Sequence, residues 1–448
     1  MSPELKQHYG AFTNALLNLY KEDTLQLADK DAPFEFDSSL FDVVAKMIYD
    51  RHGFDVSQLA TDEAKALIAE TARILTQAID DGLPHEVPET VRYALENNAF
   101  VFSGFKTFHS MREIGLSMVT DKGDIKPFNQ FLNDVQTINK KYNHNYLYAE
   151  YNHAVGTSLM AAKWHDIEQD GDRYDLQYRT ANDSHVREEH ALLHGTTLPP
   201  SDPFWDKYYP PNGWNCRCTV VQVRKGKYPT SDPELAMKRG DNCTASVKQQ
   251  MFRYNPGKTM ELFPPKHPYY KTPAEAKKEI KDVARYEHNK ALYEKLKEDK
   301  NYINVEFDKT TGGVKATHIG HNFDKVGGKY ELDVLIAGVK AGNIVVLENE
   351  KGEGRHTEGL WDGNLFEVAG CQAGSANNIL RGLKHCASKR ETELAVIVLP
   401  NTDFDKVVFE TAIKRFKGLE KLNDGQYLKF KKIICVHNQE VVYITDGI

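Results

Sequence analysis

The sequence predicts a multidomain protein: mostly α through its N-terminal and middle regions, then an α/β domain over its last third. Three observations predict it. Apolar residues recur at helical spacing over the first 170 residues. A proline-, histidine- and cysteine-bearing stretch, Tyr178 to Val220, then forbids regular structure. From about Tyr302 onward, short apolar runs of strand length alternate with helical ones.

Taken in order, residues 1–120 read as a helical region. Leu40, Val43, Val44, Met47 and Ile48 share one helical face, and Thr61 is suited to cap the helix that follows it. Residues 121–224 form the second domain, with a helix over Asn152 to Glu168 whose small residues permit close packing, then the irregular stretch, then a short closing strand at Val220 to Val223. Residues 225–301 read as a linker rich in proline (Pro229, Pro233, Pro256, Pro264, Pro265, Pro268), followed by a highly charged helix opened by Thr272, Pro273 and Glu275. Residues 302–448 form the α/β domain. Its expected helices are Leu332 to Lys340, Ala376 to Cys386 and Phe404 to Phe416. Its expected strands begin at Ile344, Leu365, Leu394, Lys432 and Glu440.

Composition narrows the function. With 27% charged residues and a net charge of -7, the chain is not a generally basic nucleic-acid coat, although a local basic face is compatible with it. No run of 18 apolar residues exists, so no membrane span is expected, and the N-terminus lacks the pattern of a secretory signal. Six cysteines in 448 residues are too sparse for a disulfide scaffold and suit a reducing cytoplasm.

The irregular stretch concentrates metal-ligand chemistry. His190 and His194 are four apart, which on a helix puts both imidazoles on one face. Cys216 and Cys218 flank Arg217 and supply two thiolates close together. The four make a candidate tetrahedral zinc site. The alternative is that His190 hydrogen-bonds the loop while both cysteines are simply buried. In either case side chains must fix a loop whose prolines leave it few backbone hydrogen bonds.

The order Arg179, Thr180, Asp183, Arg187, His190, Gly195, Phe204, Trp205 and Pro210 to Cys218 (PPNGWNCRC) resembles the phage Mu protein F-like head-morphogenesis family. The resemblance covers roughly residues 126–223. It implies a minor head protein of a tailed phage or prophage, working near the portal with the portal and major capsid proteins. Its place would be the virion and the host bacterial cytoplasm.

A second constellation lies in the α/β domain. Glu331 falls on a helix, Glu348 and Glu350 end the first core strand, Asp362 sits in a turn, Glu367 lies in the next strand, and Gln372 follows. Carboxylates from strand ends can converge on one Mg²⁺ or Mn²⁺ and support phosphoryl chemistry. This order resembles the PD-(D/E)xK-like tRNA-nuclease toxin domains of contact-dependent inhibition proteins. The resemblance implies a catalytic set of Glu331, Glu350, Asp362, Glu367 and Gln372, with Asp362 and Glu367 on the metal, RNA as substrate and an immunity protein as partner. One position departs: the lysine expected at 369 is Ala369, and Lys351 and Lys384 are candidates to replace it in space. His318 and His321 precede the acidic helix and offer phosphate contacts or an acid. Gly327 to Tyr330 is not a phosphate-binding loop, because it lacks the first glycine and the Ser or Thr of that motif.

The combined reading is a minor head protein carrying a nuclease-like toxin domain. Two alternatives stay open: a purely structural capsid protein with an inactive C-terminal binding module, and a polymorphic toxin that uses the Mu F-like part for trafficking.

Overall fold

In the computed structural model, the described residues are 10–20, 32–120, 122–323, 328–350, 357–389, 391–401, 403–422 and 430–446. They divide into two compact units, Met1–Ala284 and Arg285–Ile448.

The first unit is built on long helices: α1 (residues 10–20), α2 (Ser38–Asp50), α3 (Asp62–Gly82), α4 (Glu89–Ser117), α5 (Phe128–Asn139) and α6 (Leu147–Asp170), with a π-helical turn at Lys140–Tyr146 joining the last two. Local chemistry sets their ends. Asp37 accepts the Ser39 N–H to open α2, and Thr61 accepts the Ala64 N–H to open α3, as its sequence position predicts. Phe41, Val44, Ala45, Met47 and Ile48 form the buried face of α2. After α6 comes a small antiparallel sheet in the order β2-β1-β3, formed by β1 (Tyr174–Arg179), β2 (Thr197–Leu198) and β3 (Thr219–Arg224). The short helices α7 (Glu188–Ala191) and α8 (Phe204–Tyr208) lie in the connections between these strands. The helices α9 (Pro233–Cys243), α10 (Val247–Gln250), α11 (Pro256–Thr259) and α12 (Ala274–Glu298) follow.

The proline-rich stretch after residue 225 differs from the expected linker. Leu262, Phe263, His267 and Tyr269 are fully buried, and the apolar ones belong to the same hydrophobic core as α2, α3 and α4. Phe263 stacks on Phe102 at 3.7 Å between ring centroids. Its prolines start short helices at Pro233 and Pro256, where the missing N–H costs nothing.

A chain of polar groups crosses that core. Lys106 of α4 donates to Glu150 of α6, and both are sealed from solvent. The Tyr20 hydroxyl of α1 donates to the other Glu150 oxygen at 2.8 Å. His267 Nδ1 accepts the Tyr269 N–H, so Nε2 carries the ring proton and donates to Tyr20 Oη at 3.0 Å. Burial holds Lys106 below the usual lysine range against the pull of Glu150, and it keeps His267 neutral.

The second unit contains a mixed sheet of eight strands among the described residues, ordered β11-β10-β9-β8-β7-β6-β5-β4. These are β4 (Tyr302–Phe307), β5 (Val314–His318), β6 (Ile344–Leu347), β7 (Gly359–Trp361), β8 (Asn364–Gly370), β9 (Leu394–Leu399), β10 (Lys432–His437) and β11 (Glu440–Asp446). Its helices are α13 (Gly328–Lys340), α14 (Ala376–Ala387) and α15 (Lys406–Leu422). Alternate residues of β9 explain the layering: Leu394, Val396 and Val398 pack with α13, while Ala395, Ile397 and Leu399 pack with α14 and α15. A strand covered on both faces reads as a continuous apolar run, which is why β9 was legible in the sequence. The α/β class is as expected, whereas β4, β5 and β7 lie where no strand was expected.

The buried ion pair generates a test. Lys106→Met leaves Glu150 as an uncompensated buried charge and should cost about 3–5 kcal/mol. Lys106→Met with Glu150→Leu should recover most of that loss. Chemical denaturation followed by tryptophan fluorescence decides it; equal stability of the single and double variants would contradict the pairing.

Candidate metal centres

In the first unit, β2 pairs with β1, and much of the remaining loop between β1 and β3 is tied down by side chains. The Tyr178 hydroxyl donates to Asn212 at 2.8 Å, Trp205 Nε1 donates to the Pro199 carbonyl at 3.1 Å, and the Tyr209 hydroxyl donates to the Met160 carbonyl of α6 at 3.1 Å. Arg187 Nη2 donates to the Trp214 carbonyl at 2.9 Å. The peptide between Pro210 and Pro211 is cis. Asn215, at φ 53°, turns the chain into Cys216, and Arg217 points outward to a bidentate pair with Asp183 at 2.7 and 2.6 Å.

This arrangement brings His190, Cys216 and Cys218 together. His190 Nδ1 lies 3.6 Å from each sulfur. The Cys216 thiol is held well below its usual range, first by its hydrogen bond with Cys218 and then by His190. Desolvation alone would lower the His190 pKa, but Cys216 and Cys243 outweigh it and raise it to about 10. Buried Cys243, the last residue of α9, therefore belongs to the surroundings of the His190 ring, a role that sequence spacing did not suggest. His194 is not part of the group. The helix α7 ends at Ala191, so the four-residue spacing no longer puts both rings on one face. Its Nδ1 instead accepts the Thr180 N–H at 3.2 Å and lies 2.9 Å from the Thr180 hydroxyl.

In the second unit, Glu331, Glu350 and Glu367 converge, but Asp362 does not. Trp361 pairs with Asn364 and Gly359 with Phe366, so Asp362 and Gly363 form the hairpin turn itself. Asp362 accepts the Ile344 N–H at 2.8 Å and the Asn343 amide, which anchors the turn to the start of β6. Glu367 lies five residues further on, roughly 16 Å along an extended strand. The expectation that Asp362 and Glu367 share one ion therefore fails on geometry.

Glu358 stands close to Glu367, and Lys389 reaches both. The β7–β8 ladder ends at Gly359 and Phe366; just past it the Glu358 N–H also turns to the Phe366 carbonyl at 3.1 Å, and the Glu348 N–H donates to the Glu358 carbonyl at 3.0 Å. His321 Nε2 is 2.8 Å from Glu331 Oε2, and its Nδ1 is 3.1 Å from the Glu348 carbonyl. Both partners are acceptors, so the ring carries two protons and is cationic; Glu331 outweighs the burial that would lower its pKa. One ligand-type atom each from His321, Glu350 and Glu358 lies within 4.8 Å of the others. Lys389, just past α14, reaches Glu367 at 2.6 Å and Glu358 at 3.4 Å, while His385 reaches the other Glu367 oxygen at 3.2 Å. Lys389 thus occupies the neighbourhood that Ala369 leaves without an amine; Lys351 lies outside the described residues. Gln372 stands further along, bonded to the Tyr330 hydroxyl and accepting from Asn401 at 2.6 Å. With Tyr330, Asn378, Arg381 and His385 it lines a cleft of about 450 Å³. His318 Nδ1 accepts the Gly320 N–H at 2.9 Å, a turn contact.

Glu358 bears the cost of this crowding. Burial first, then Glu367 and Glu331, push its carboxyl from 4.5 up to about 7. The folded state therefore holds that proton more tightly than the unfolded chain does, and stability is lost as pH rises between those values. His321 and His385, both raised above 6.5, act in the same direction, since their stabilisation is present at low pH and lost as each deprotonates. In metal-free buffer, hydrogen exchange in β7 and β8 should quicken as pH rises from about 5 to about 8, after correction for the intrinsic rate, and Glu358→Gln should flatten that trend. Greater protection at the higher pH would contradict it.

Among the described residues, no helix is long and apolar enough to cross a membrane. No solved structure matches the chain. Two curated relatives align with it over short stretches. The "Mu-like prophage FluMu F protein" of Haemophilus influenzae is 43% identical over 68 residues, which cover 14% of this chain and 16% of that protein. The "Putative capsid assembly protein F" of Escherichia phage Mu is 41% identical over 71 residues, 16% of each. The chain thus spans about one sixth of the length of these relatives. Residues 125–221, which include the loop and its His190, Cys216 and Cys218 cluster, match the family described as Phage Mu protein F like protein.

Proposed function

We propose that the chain is a minor head protein of a tailed phage or prophage, acting in capsid assembly beside the portal and major capsid proteins. The observation that carries this is the match of residues 125–221 to the Mu F-like family, together with the side-chain-locked loop at its end. A loop fixed by buried tyrosines and tryptophans keeps one shape, as a docking surface in an ordered shell requires. The reading places the protein in the virion and in the infected bacterial cytoplasm. Its test is ablation of the chain in the phage that encodes it. DNA-filled heads should fall sharply in number by electron microscopy, and the chain should be found in purified wild-type particles by mass spectrometry. Normal heads in normal number without it would overturn the reading.

A second reading concerns the Arg285–Ile448 unit and is favoured by the convergence of His321, Glu331, Glu350, Glu358 and Glu367 with Lys389 beside a cleft. The residues fit a divalent cation: the set is rich in carboxylate oxygen with one imidazole, and Glu358 Oε2 is buried without a hydrogen-bond partner. His321, Glu350 and Glu358 would hold Mg²⁺ or Mn²⁺, which when bound supplies an activated water and charge stabilisation for phosphodiester cleavage. The Glu348 carbonyl accepts a hydrogen bond from His321 Nδ1, so Nε2 would become the ligand atom once the ring gives up the proton it shares with Glu331. Lys389 and His385 orient Glu367, and Arg381 in the cleft offers a cation for a backbone phosphate. RNA, including tRNA, is the proposed substrate class, and a cell carrying such an activity needs an immunity protein.

The full chain incubated with tRNA, single-stranded RNA or DNA and Mn²⁺ or Mg²⁺ should cut at least one of them. Glu358→Gln should abolish cutting with the fold intact, and EDTA should do the same. Asp362→Ala should loosen the hairpin turn without selectively removing cation dependence. Failure to cut any substrate with either cation would remove this reading and leave the assembly reading standing.

A further inference from the structure

The Mu F-like loop places one imidazole nitrogen and two cysteine sulfurs around a space the size of one ion. His190 Nδ1 is 3.6 Å from Cys216 Sγ and 3.6 Å from Cys218 Sγ. All three atoms lie within 4.8 Å of one another. In a tetrahedral site with Zn–S of about 2.3 Å and Zn–N of about 2.0–2.1 Å, a nitrogen and a sulfur stand roughly 3.5 Å apart. Both observed nitrogen–sulfur separations are therefore close to the edge length of a zinc tetrahedron. Two thiolates and an imidazole are also a donor set that selects zinc over the hard cations.

The backbone is already arranged for this. Arg217 is drawn away to Asp183, and the cysteines on either side of it are left against His190. A cavity of about 20 Å³, enough for a single ion or solvent molecule, is lined by His185, His190, Cys216 and Cys218 among others.

We propose that His190, Cys216 and Cys218 hold one zinc ion, with its fourth position open to the cavity on which His185 borders. The ion clips α7 to the turn entering β3, so it joins two points of the irregular loop 26 residues apart. His194 takes no part. This inference is independent of the assembly reading, since the clip would shape the loop whatever the loop docks against.

The experiment uses the full chain, expressed with zinc and dialysed against metal-free buffer. Elemental analysis should find one zinc per chain in the wild type and in His194→Ala. It should fall to background in Cys216→Ser with Cys218→Ser. Because that double variant can lose its fold, the wild type is also stripped and loaded with Co²⁺. Thiolate-to-cobalt charge transfer and the intense visible bands of tetrahedral cobalt should appear, and Zn²⁺ should displace them. A wild type that binds no zinc and gives only the weak bands of octahedral cobalt overturns the proposal. So does full zinc retention in the double cysteine variant.

Discussion

A lysine and a glutamate sealed together in the first unit constrain everything packed around them. Lys106 and Glu150 sit on different long helices, and neither can be solvated elsewhere once the core closes. The pair alone would leave one carboxylate oxygen short, and Tyr20 supplies the missing donor with His267 behind it. Four separate stretches of chain therefore meet before every member of this chain of polar groups has its partner. Trp214, at the tip of the proline-rich loop, stacks on the same Tyr20 with centroids 5.1 Å apart and meets His153 edge-on at 5.0 Å. The loop is thus held by the network as well as by its own tyrosines, and its metal-ligand end inherits its position from a charge pair in the helical core.

The second unit solves the opposite problem. Its carboxylates repel one another, and the hairpin of β7 and β8 sets how closely they stand. The turn at Asp362 and Gly363, at φ 46° and 71°, fixes a register that ends at Gly359 and Phe366 and leaves Glu358 and Glu367 as the next residues of the two strands. Asp362 thus acts on the acidic cluster from a distance, by setting where the two strands that carry Glu358 and Glu367 start to pair. Lys389, His385 and His321 supply positive charge to the cluster, yet Glu358 still carries a carboxyl raised to about 7. Burial first, and then the nearby Glu367 and Glu331, keep it there.

The helices, the α/β class and most core strands were legible because period and capping are local. The sites were legible in part, and the losses have physical causes. His194 was assigned by helical spacing, but the helix beneath it stops after four residues. Asp362 was grouped with Glu367 by proximity along the chain. Reading the Asp-Gly pair as a two-residue hairpin turn brings Glu358, not Asp362, up beside Glu367. Lys389 and Cys243 carry no local signal, since each reaches its site only through tertiary packing. The strand β4 carries no such signal because each of its residues is half-buried or exposed, with no buried face to mark it.

The stretch after residue 225 shows why a sequence signal and a folding unit need not coincide. The family match stops at residue 221, where the run of proline, tryptophan and cysteine ends. The physical support for that run continues well beyond it. Asn255 donates to the Trp205 carbonyl at 3.0 Å, Phe252 packs edge-on against Trp214, and Cys243 lies beside the His190 ring. Rare residues in fixed order make a recognisable motif, whereas apolar residues that merely fill space against it do not. Prolines in this stretch read as linker punctuation, yet a proline at a helix start is compatible with deep burial, as Pro256 shows at the head of α11. The loop chemistry and the residues that hold it in shape therefore form one structural element, of which only the first part announces itself in sequence.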